Sequence, residues 1–168
     1  QEFQKKCWKA YSEGKSGMLH APTGSGKTFA LWGGILNEAQ LKKKHPAGIH
    51  AIWITPLRAL AVEIQQATQS ITDDLNADLK ISLRTGDTSQ SERIKQKRKP
   101  SFGLVTTPES LHVLISAKDH QKNFKHLNVI VVDEWHELLG TKRGVQIELA
   151  IAYLRALLPN LKVWGISA

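Results

Sequence analysis

GMLHAPTGSGKT, residues 17–28, is a short apolar run that passes through a glycine-bearing turn into Gly26-Lys27-Thr28 and opens a helical pattern. A strand, a glycine turn and a helix in that order are the context a phosphate-binding loop requires. Gly24, Ser25 and Gly26, with Thr23 ahead of them, let successive backbone N–H groups turn inward as a nest for phosphate oxygens. The N-terminus of the following helix adds partial positive charge at the same place. Lys27 then supplies a mobile point charge for the β- and γ-phosphates, and Thr28 a hydroxyl ligand for Mg²⁺. Ala21 stands where the strict pattern has its first glycine, and a residue that small still permits the turn.

Working outward, the hydrophobic pattern alternates between short apolar runs and longer amphipathic ones. The short runs are 17–21, 49–55, 79–84, 102–106, 128–133 and 161–167. Most are rich in Val, Ile and Leu without strict alternation, as expected of strands buried on both faces. Helices are predicted over 3–13, 28–43, 57–75, 89–97, 108–116 and 145–157, with Pro108 suited to the first turn of its helix. Strand–helix alternation of this kind predicts an α/β fold with a mostly parallel sheet and helices on both faces. In such sheets ligands collect at the carboxyl ends of the strands. The polar, glycine-bearing segments 22–27, 56–58, 85–87, 107–109, 133–136 and 167–168 all fall there, which predicts one large composite site.

Length and composition agree with one domain spanning residues 1–168. No apolar stretch suits a membrane span, no signal-peptide pattern opens the chain, and one cysteine, Cys7, excludes an internal disulfide framework. A reducing cytoplasm is the expected address. The net charge of +8 suits a phosphate-rich partner, although solubility alone accounts for such a balance as well.

NVIVVDEWH, residues 128–136, is a second decisive stretch, an apolar strand ending in two adjacent acids. Asp133 is suited to hold Mg²⁺ through its water shell, and Glu134 to orient and deprotonate a water attacking a γ-phosphate. Trp135 is expected to pack beneath the site. His136 is either a nucleotide sensor or a solvent-facing histidine after a strand. Trp53 and Trp164 are expected in the core. The basic run Arg93, Lys95, Lys97, Arg98, Lys99, and the shorter run 42–44, are expected to be solvated helix faces.

With APTGSGKT at 21–28, DEWH at 133–136 resembles the superfamily 2 DEXH-box helicases. TPLRALA (55–61), RTGDTS (84–89), TTPESL (106–111) and WGISA (164–168) resemble further motifs of that family, in its order, the last being the start of motif III. The resemblance nearly covers the chain, and is closest to the ligase-associated DEXH-box helicases of the Lhr (large helicase-related) group. It implies a three-layer α/β/α P-loop NTPase, the first RecA-like domain of an ATP-dependent helicase or translocase, truncated within motif III. ATP and Mg²⁺ are the implied cofactors. The implied partners are single-stranded DNA (RNA or an RNA:DNA hybrid being alternatives), a second RecA-like domain, and a DNA ligase and nuclease acting with it. A bacterial, nucleoid-associated cytoplasmic setting in DNA repair and 3′ to 5′ tracking are implied too.

The same resemblance implies roles for single residues. Gln4, upstream of Lys27 at the spacing this superfamily uses, resembles the adenine-recognising Q motif. Pro56, Arg58, Thr85, Gly86, Thr107 and Arg143 would meet the sugar-phosphate backbone of the tracking strand, contacts that carry little sequence information. Ser167 would couple nucleotide state to strand grip through the acid motif. Arg143-Gly144 with Glu148 resembles a feature of related helicases, or else is a salt-bridged helix start. Because such motors take arginine fingers from a second domain, residues 1–168 alone are expected to bind ATP weakly and hydrolyse it poorly. Two rival readings are a different DNA translocase, of restriction or remodelling type, and a nucleic-acid-binding module with a vestigial nucleotide site.

Overall fold

A computed structural model describes residues 1–42 and 44–168. Its strands are β1 (Gly17–His20), β2 (Ala51–Ile54), β3 (Ile81–Arg84), β4 (Gly103–Thr106), β5 (Val129–Val132) and β6 (Lys162–Ser167). They form one sheet in the order β1-β6-β5-β2-β4-β3, and every pairing is parallel. The sheet is therefore more regular than the mostly parallel one expected. The helices are α1 (Glu2–Ser12), α2 (Lys27–Leu41), α3 (Arg58–Asp74), α4 (Gln90–Arg98), α5 (Pro108–Ser116), α6 (His120–Phe124), α7 (Trp135–Leu138) and α8 (Lys142–Leu157).

Alternation along the strands sorts side chains into two cores. Ala51, Trp53, Val129 and Val131 face α1, α2 and α3, whereas Ile52, Ile54, Ile130 and Val132 face α5, α6, α7 and α8. A strand with helices on both sides has no solvent face, which is why these runs read as continuously apolar. The result is a three-layer α/β/α arrangement. Trp32 of α2 meets Trp53 edge to face and donates its indole N–H to Thr72 Oγ1 of α3 at 3.0 Å, tying those helices together over the sheet. Trp53 and Trp164 are core residues, as expected.

Several boundaries differ from the expected ones. α8 begins at Lys142, three residues before the apolar pattern starts, because Thr141 caps it by accepting the Gly144 N–H at 3.1 Å. Ser89, expected inside its helix, is the N-cap of α4 and accepts the Glu92 N–H. α6 and α7 are single turns too short to leave a periodic signal, and α7 occupies part of the stretch expected to be a loop at 133–136. The expected end of the second helix at Lys43 lies outside the described residues.

At the amino ends of the strands a charged cluster fastens α1 and α2 to the sheet. Lys162, only 6% exposed, donates to Glu38 Oε2 at 2.7 Å and lies 4.0 Å over the Tyr11 ring. Asn128 donates to the same oxygen, and Lys42 to Glu38 Oε1. Burial alone would raise the Glu38 carboxyl, but the hydrogen bonds from Lys162 and Lys42 bring it down to about 2. A carboxyl held below its unfolded value stabilises the fold above that value and ceases to do so as pH falls through the folded one. Stability is therefore expected to fall between about pH 4.5 and about pH 2. Glu38→Gln removes Glu38's part of that slope and leaves Lys162 buried without a carboxylate, at a cost of about 3 kcal/mol near neutrality. Urea unfolding across that pH range checks both, and an unaltered slope in the variant would assign the acid sensitivity elsewhere.

Candidate functional site

The turn after β1 is held open by two glycines in the left-handed region, Gly24 at φ 77° and Gly26 at φ 87°. Only glycine adopts that backbone without strain. Gly26 begins α2 as its N-cap, so the turn delivers its N–H groups to the positive end of a helix. The Ser25 hydroxyl is buried and has no partner among the described residues. Gln4 of α1 donates to the Gly26 carbonyl at 3.3 Å, placing it against the turn. Lys27 reaches back across the loop, its Nζ donating to the carbonyls of Ala21 at 2.7 Å and Ser167 at 3.4 Å. Thr28 follows in the first turn of α2.

Two strands away, β5 leads directly into Asp133 and Glu134. Asp133 is 7% exposed, accepting the Trp53 indole N–H at 3.2 Å on Oδ2 and the Glu134 N–H at 2.9 Å on Oδ1. Burial pushes its carboxyl up from the ordinary value, opposed by those two hydrogen bonds and by the charge of Lys27. Glu134 is itself left-handed, with φ 49°, and starts α7. For a residue with a side chain that backbone is uncommon and costs about 1–2 kcal/mol, the kind of strain that gathers at working sites. His136, in α7, holds its Nδ1 3.0 Å from Ser167 Oγ, and its Nε2 lies 3.4 Å from both Glu134 Oε2 and Glu137 Oε1. Trp135 is half-buried and packs on the core beneath. The structure thus gathers Gln4, the loop from Thr23 to Thr28, Asp133, Glu134, His136 and Ser167 around the ends of β1, β6 and β5.

A second group lies beyond β5, at the ends of β2, β4 and β3. A cleft of about 270 Å³ is lined there by Pro56, Arg58, Gly86, Thr107 and Arg143, and also by Arg84 and Arg93. Arg58 covers Gly86 and pairs with Asp87 at 2.8 Å. Arg143 donates to Glu109 of α5 and, at 3.1 Å, to the Pro56 carbonyl. Arg143 is therefore paired across helices with Glu109 and, among the described residues, makes no ion pair with the exposed Glu148. Thr107 is 2% exposed, with its hydroxyl donating to Ser110.

Two expectations need correcting at this cleft. Thr85 does not line it; the residue is 4% exposed and its hydroxyl accepts the Asp87 N–H, so it shapes the turn from beneath. Arg93 is not part of a solvated face, because its guanidinium folds back onto the carbonyls of the 85–88 turn; Lys95, Lys97, Arg98 and Lys99 do remain exposed. Trp53 is in the core, as expected, and also orients Asp133. Its signal was available in principle, since a buried indole N–H needs an acceptor.

An all-parallel α/β/α sheet with a glycine phosphate turn after β1 and paired acids after β5 defines a nucleotide-binding domain of the RecA-like kind. The chain belongs to the DEAD/DEAH box helicase family, which it matches over residues 1–168. It is 33% identical to the ATP-dependent helicase Lhr-Core of Methanothermobacter thermautotrophicus, over 92% of this chain and 19% of that protein. To the Lhr-Core of Sulfolobus acidocaldarius it is 35% identical, over 95% of this chain and 18% of that one. Among solved structures, the Mycobacterium smegmatis helicase Lhr bound to ssDNA and AMP-PNP matches with a TM-score of 0.81 and 30% identity, covering 98% of this chain and 22% of that one. The chain spans about a fifth of the length of these relatives. No helix among the described residues is long and apolar enough to cross a membrane.

Proposed function

We propose that this domain is the ATP-binding half of a motor that couples Mg²⁺-assisted ATP hydrolysis to movement along single-stranded DNA, in the 3′ to 5′ direction and in the service of DNA repair. The observation that carries the reading is the convergence of Lys27, Asp133, Glu134 and the Ser167–His136 pair on adjoining strand ends, beside an arginine-lined cleft. The nearby Lhr structure was bound to ssDNA and AMP-PNP, which supports the same pairing of ligands here. The unpartnered, buried Ser25 hydroxyl and the left-handed Gly24 and Gly26 fit a phosphate chain laid across the turn.

Gln4 reads the adenine, and the N–H groups from Gly24 to Thr28 cradle the phosphates. Lys27 leaves its two carbonyls to meet the β- and γ-phosphates. Thr28 and Asp133 would hold Mg²⁺, the buried Asp133 carboxylate being kept in place by Trp53. The ion held there would supply neutralising charge for the phosphate oxygens. Glu134 orients the attacking water and takes its proton. Ser167, through His136, links this chemistry to the grip of Pro56, Arg58, Gly86, Thr107 and Arg143 on the sugar-phosphate backbone. A second RecA-like domain contributes the arginine finger, worth about 10³–10⁵ in rate, so the domain by itself turns over slowly. Lys27, Thr28, Asp133 and Glu134 being all present supports a working site over a vestigial one. The ligase-associated branch of the Lhr group, with a DNA ligase and nuclease as functional partners in the bacterial nucleoid, is the setting that fits.

Nucleotide binding by the chain itself provides the test. Lys27→Ala removes the charge-assisted contacts to the phosphates, and affinity for a fluorescent ATP analogue is expected to fall roughly 10- to 100-fold. Equal affinity in the variant and the parent would sink the assignment of this turn as the phosphate cradle.

A further inference from the structure

The cleft at the ends of β2, β4 and β3 is lined by four arginines, which differ in how they are neutralised. Arg58 is paired with Asp87, and Arg143 with Glu109. Among the described residues neither Arg84 nor Arg93 has a carboxylate partner. Arg84, the last residue of β3, is half-buried and donates only to the Gln96 side chain, at 3.5 Å. Arg93 is held by carbonyls alone, from Nε to Thr88 at 2.9 Å and from Nη2 to Gly86 at 3.1 Å and Thr85 at 3.4 Å. Glu92, the nearest acid on α4, is turned to Gln96 and Lys95 instead. Two guanidiniums thus face one cleft without a carboxylate of their own among the described residues, Glu109 in its lining being paired with Arg143.

We infer that Arg84 and Arg93 form a further phosphate seat for the nucleic-acid backbone, beside the one at Arg58, Gly86 and Arg143. This rests on the proposed function and extends its grip beyond Pro56, Arg58, Gly86, Thr107 and Arg143 to two further residues, Arg84 at the head of RTGDTS and Arg93 in α4. Like charges sharing a partly buried site are unfavourable unless an anion joins them. The Arg84 guanidinium is indeed held below its ordinary range, first by burial and then by the neighbouring Arg93. A planar, forked donor suits a phosphodiester oxygen pair better than a point charge does. Arg93 has a second effect: by gathering three carbonyls of the 85–88 turn it fixes the turn's shape, and with it the place of Gly86 beneath Arg58. The seat reads no bases, because everything it offers is charge and backbone.

The experiment titrates a labelled oligothymidylate with the chain at several salt concentrations, for the parent, Arg84→Gln and Arg84→Lys. Each phosphate contact on a single strand contributes about 0.7 to the slope of log affinity against log salt. Arg84→Gln is expected to lower that slope by about 0.7 and to weaken binding roughly fivefold at low salt. Arg84→Lys keeps the slope while losing part of the affinity, and both variants bind the fluorescent ATP analogue as the parent does. The inference is overturned if Arg84→Gln matches the parent in slope and affinity. It is equally overturned if both variants weaken with the slope unchanged, since Arg84 would then be a structural prop. Should the parent itself show no salt-dependent binding, the proposed function fails and takes this seat with it; a salt-dependent parent with indifferent variants removes the seat alone.

Discussion

Glu134→Gln is expected to lower nucleic-acid-stimulated ATP turnover of the full-length polypeptide by about 10²–10⁴, the usual contribution of a positioned general base. The amide has the carboxylate's size and can keep the left-handed backbone at φ 49°, so α7 should form as before. What it lacks is the ability to accept a proton from water. Nucleotide affinity should therefore stay close to the parent's while the chemical step slows, the pattern of an interaction made only in the transition state. Steady-state phosphate release, measured beside equilibrium binding of an ATP analogue, separates the two quantities. Undiminished turnover would remove Glu134 from the role of base.

Gly144→Ala is expected to cost about 3 kcal/mol of stability and to lower Tm by roughly 6–12 °C, although the residue touches no ligand. A Cβ at this position overlaps the carbonyl oxygen of Leu138, the last residue of α7. That carbonyl cannot swing aside, because it accepts from both the Thr141 N–H and the Thr141 hydroxyl. Thr141 in turn caps α8 through the Gly144 N–H. One methyl group therefore pushes α7 and α8 apart, and α7 carries Trp135 and His136. Thermal unfolding measures the loss, and a variant as stable as the parent would show that the junction repacks freely.

Much of the fold was legible because the central strands β2, β4 and β5 are apolar runs buried on both faces and helices such as α3 carry one apolar face. The helix starts at Lys27 and Pro108 were visible to within a residue in local chemistry, a glycine turn and a proline, whereas Ser89 looks like part of its helix in sequence and caps it in the fold. α7 was not visible, since a four-residue turn that begins on a left-handed glutamate has no period to detect. At the site, Lys27, Asp133 and Glu134 could be placed on strand ends from sequence alone. The link from Trp53 to Asp133 could not, because it depends on β2 lying beside β5, and sheet order is a property of the folded chain. Arg93 was misjudged for a related reason. A run of basic residues looks uniform in sequence, whereas the fold turns this one back onto the carbonyls of a neighbouring turn and leaves the rest in solvent.

The resting posture of Lys27 carries a consequence for affinity. Its ammonium is already satisfied by the ends of β1 and β6, so phosphate binding is an exchange of acceptors: the gain is the difference between a phosphate oxygen and two carbonyls. The same exchange takes one donor from the Ser167 carbonyl, which keeps the Ala21 N–H, while the Ser167 hydroxyl stays with His136. Filling the site is then a local swap of acceptors at the lysine, with the tip of β6 still paired to the loop through Ala21 and to α7 through His136.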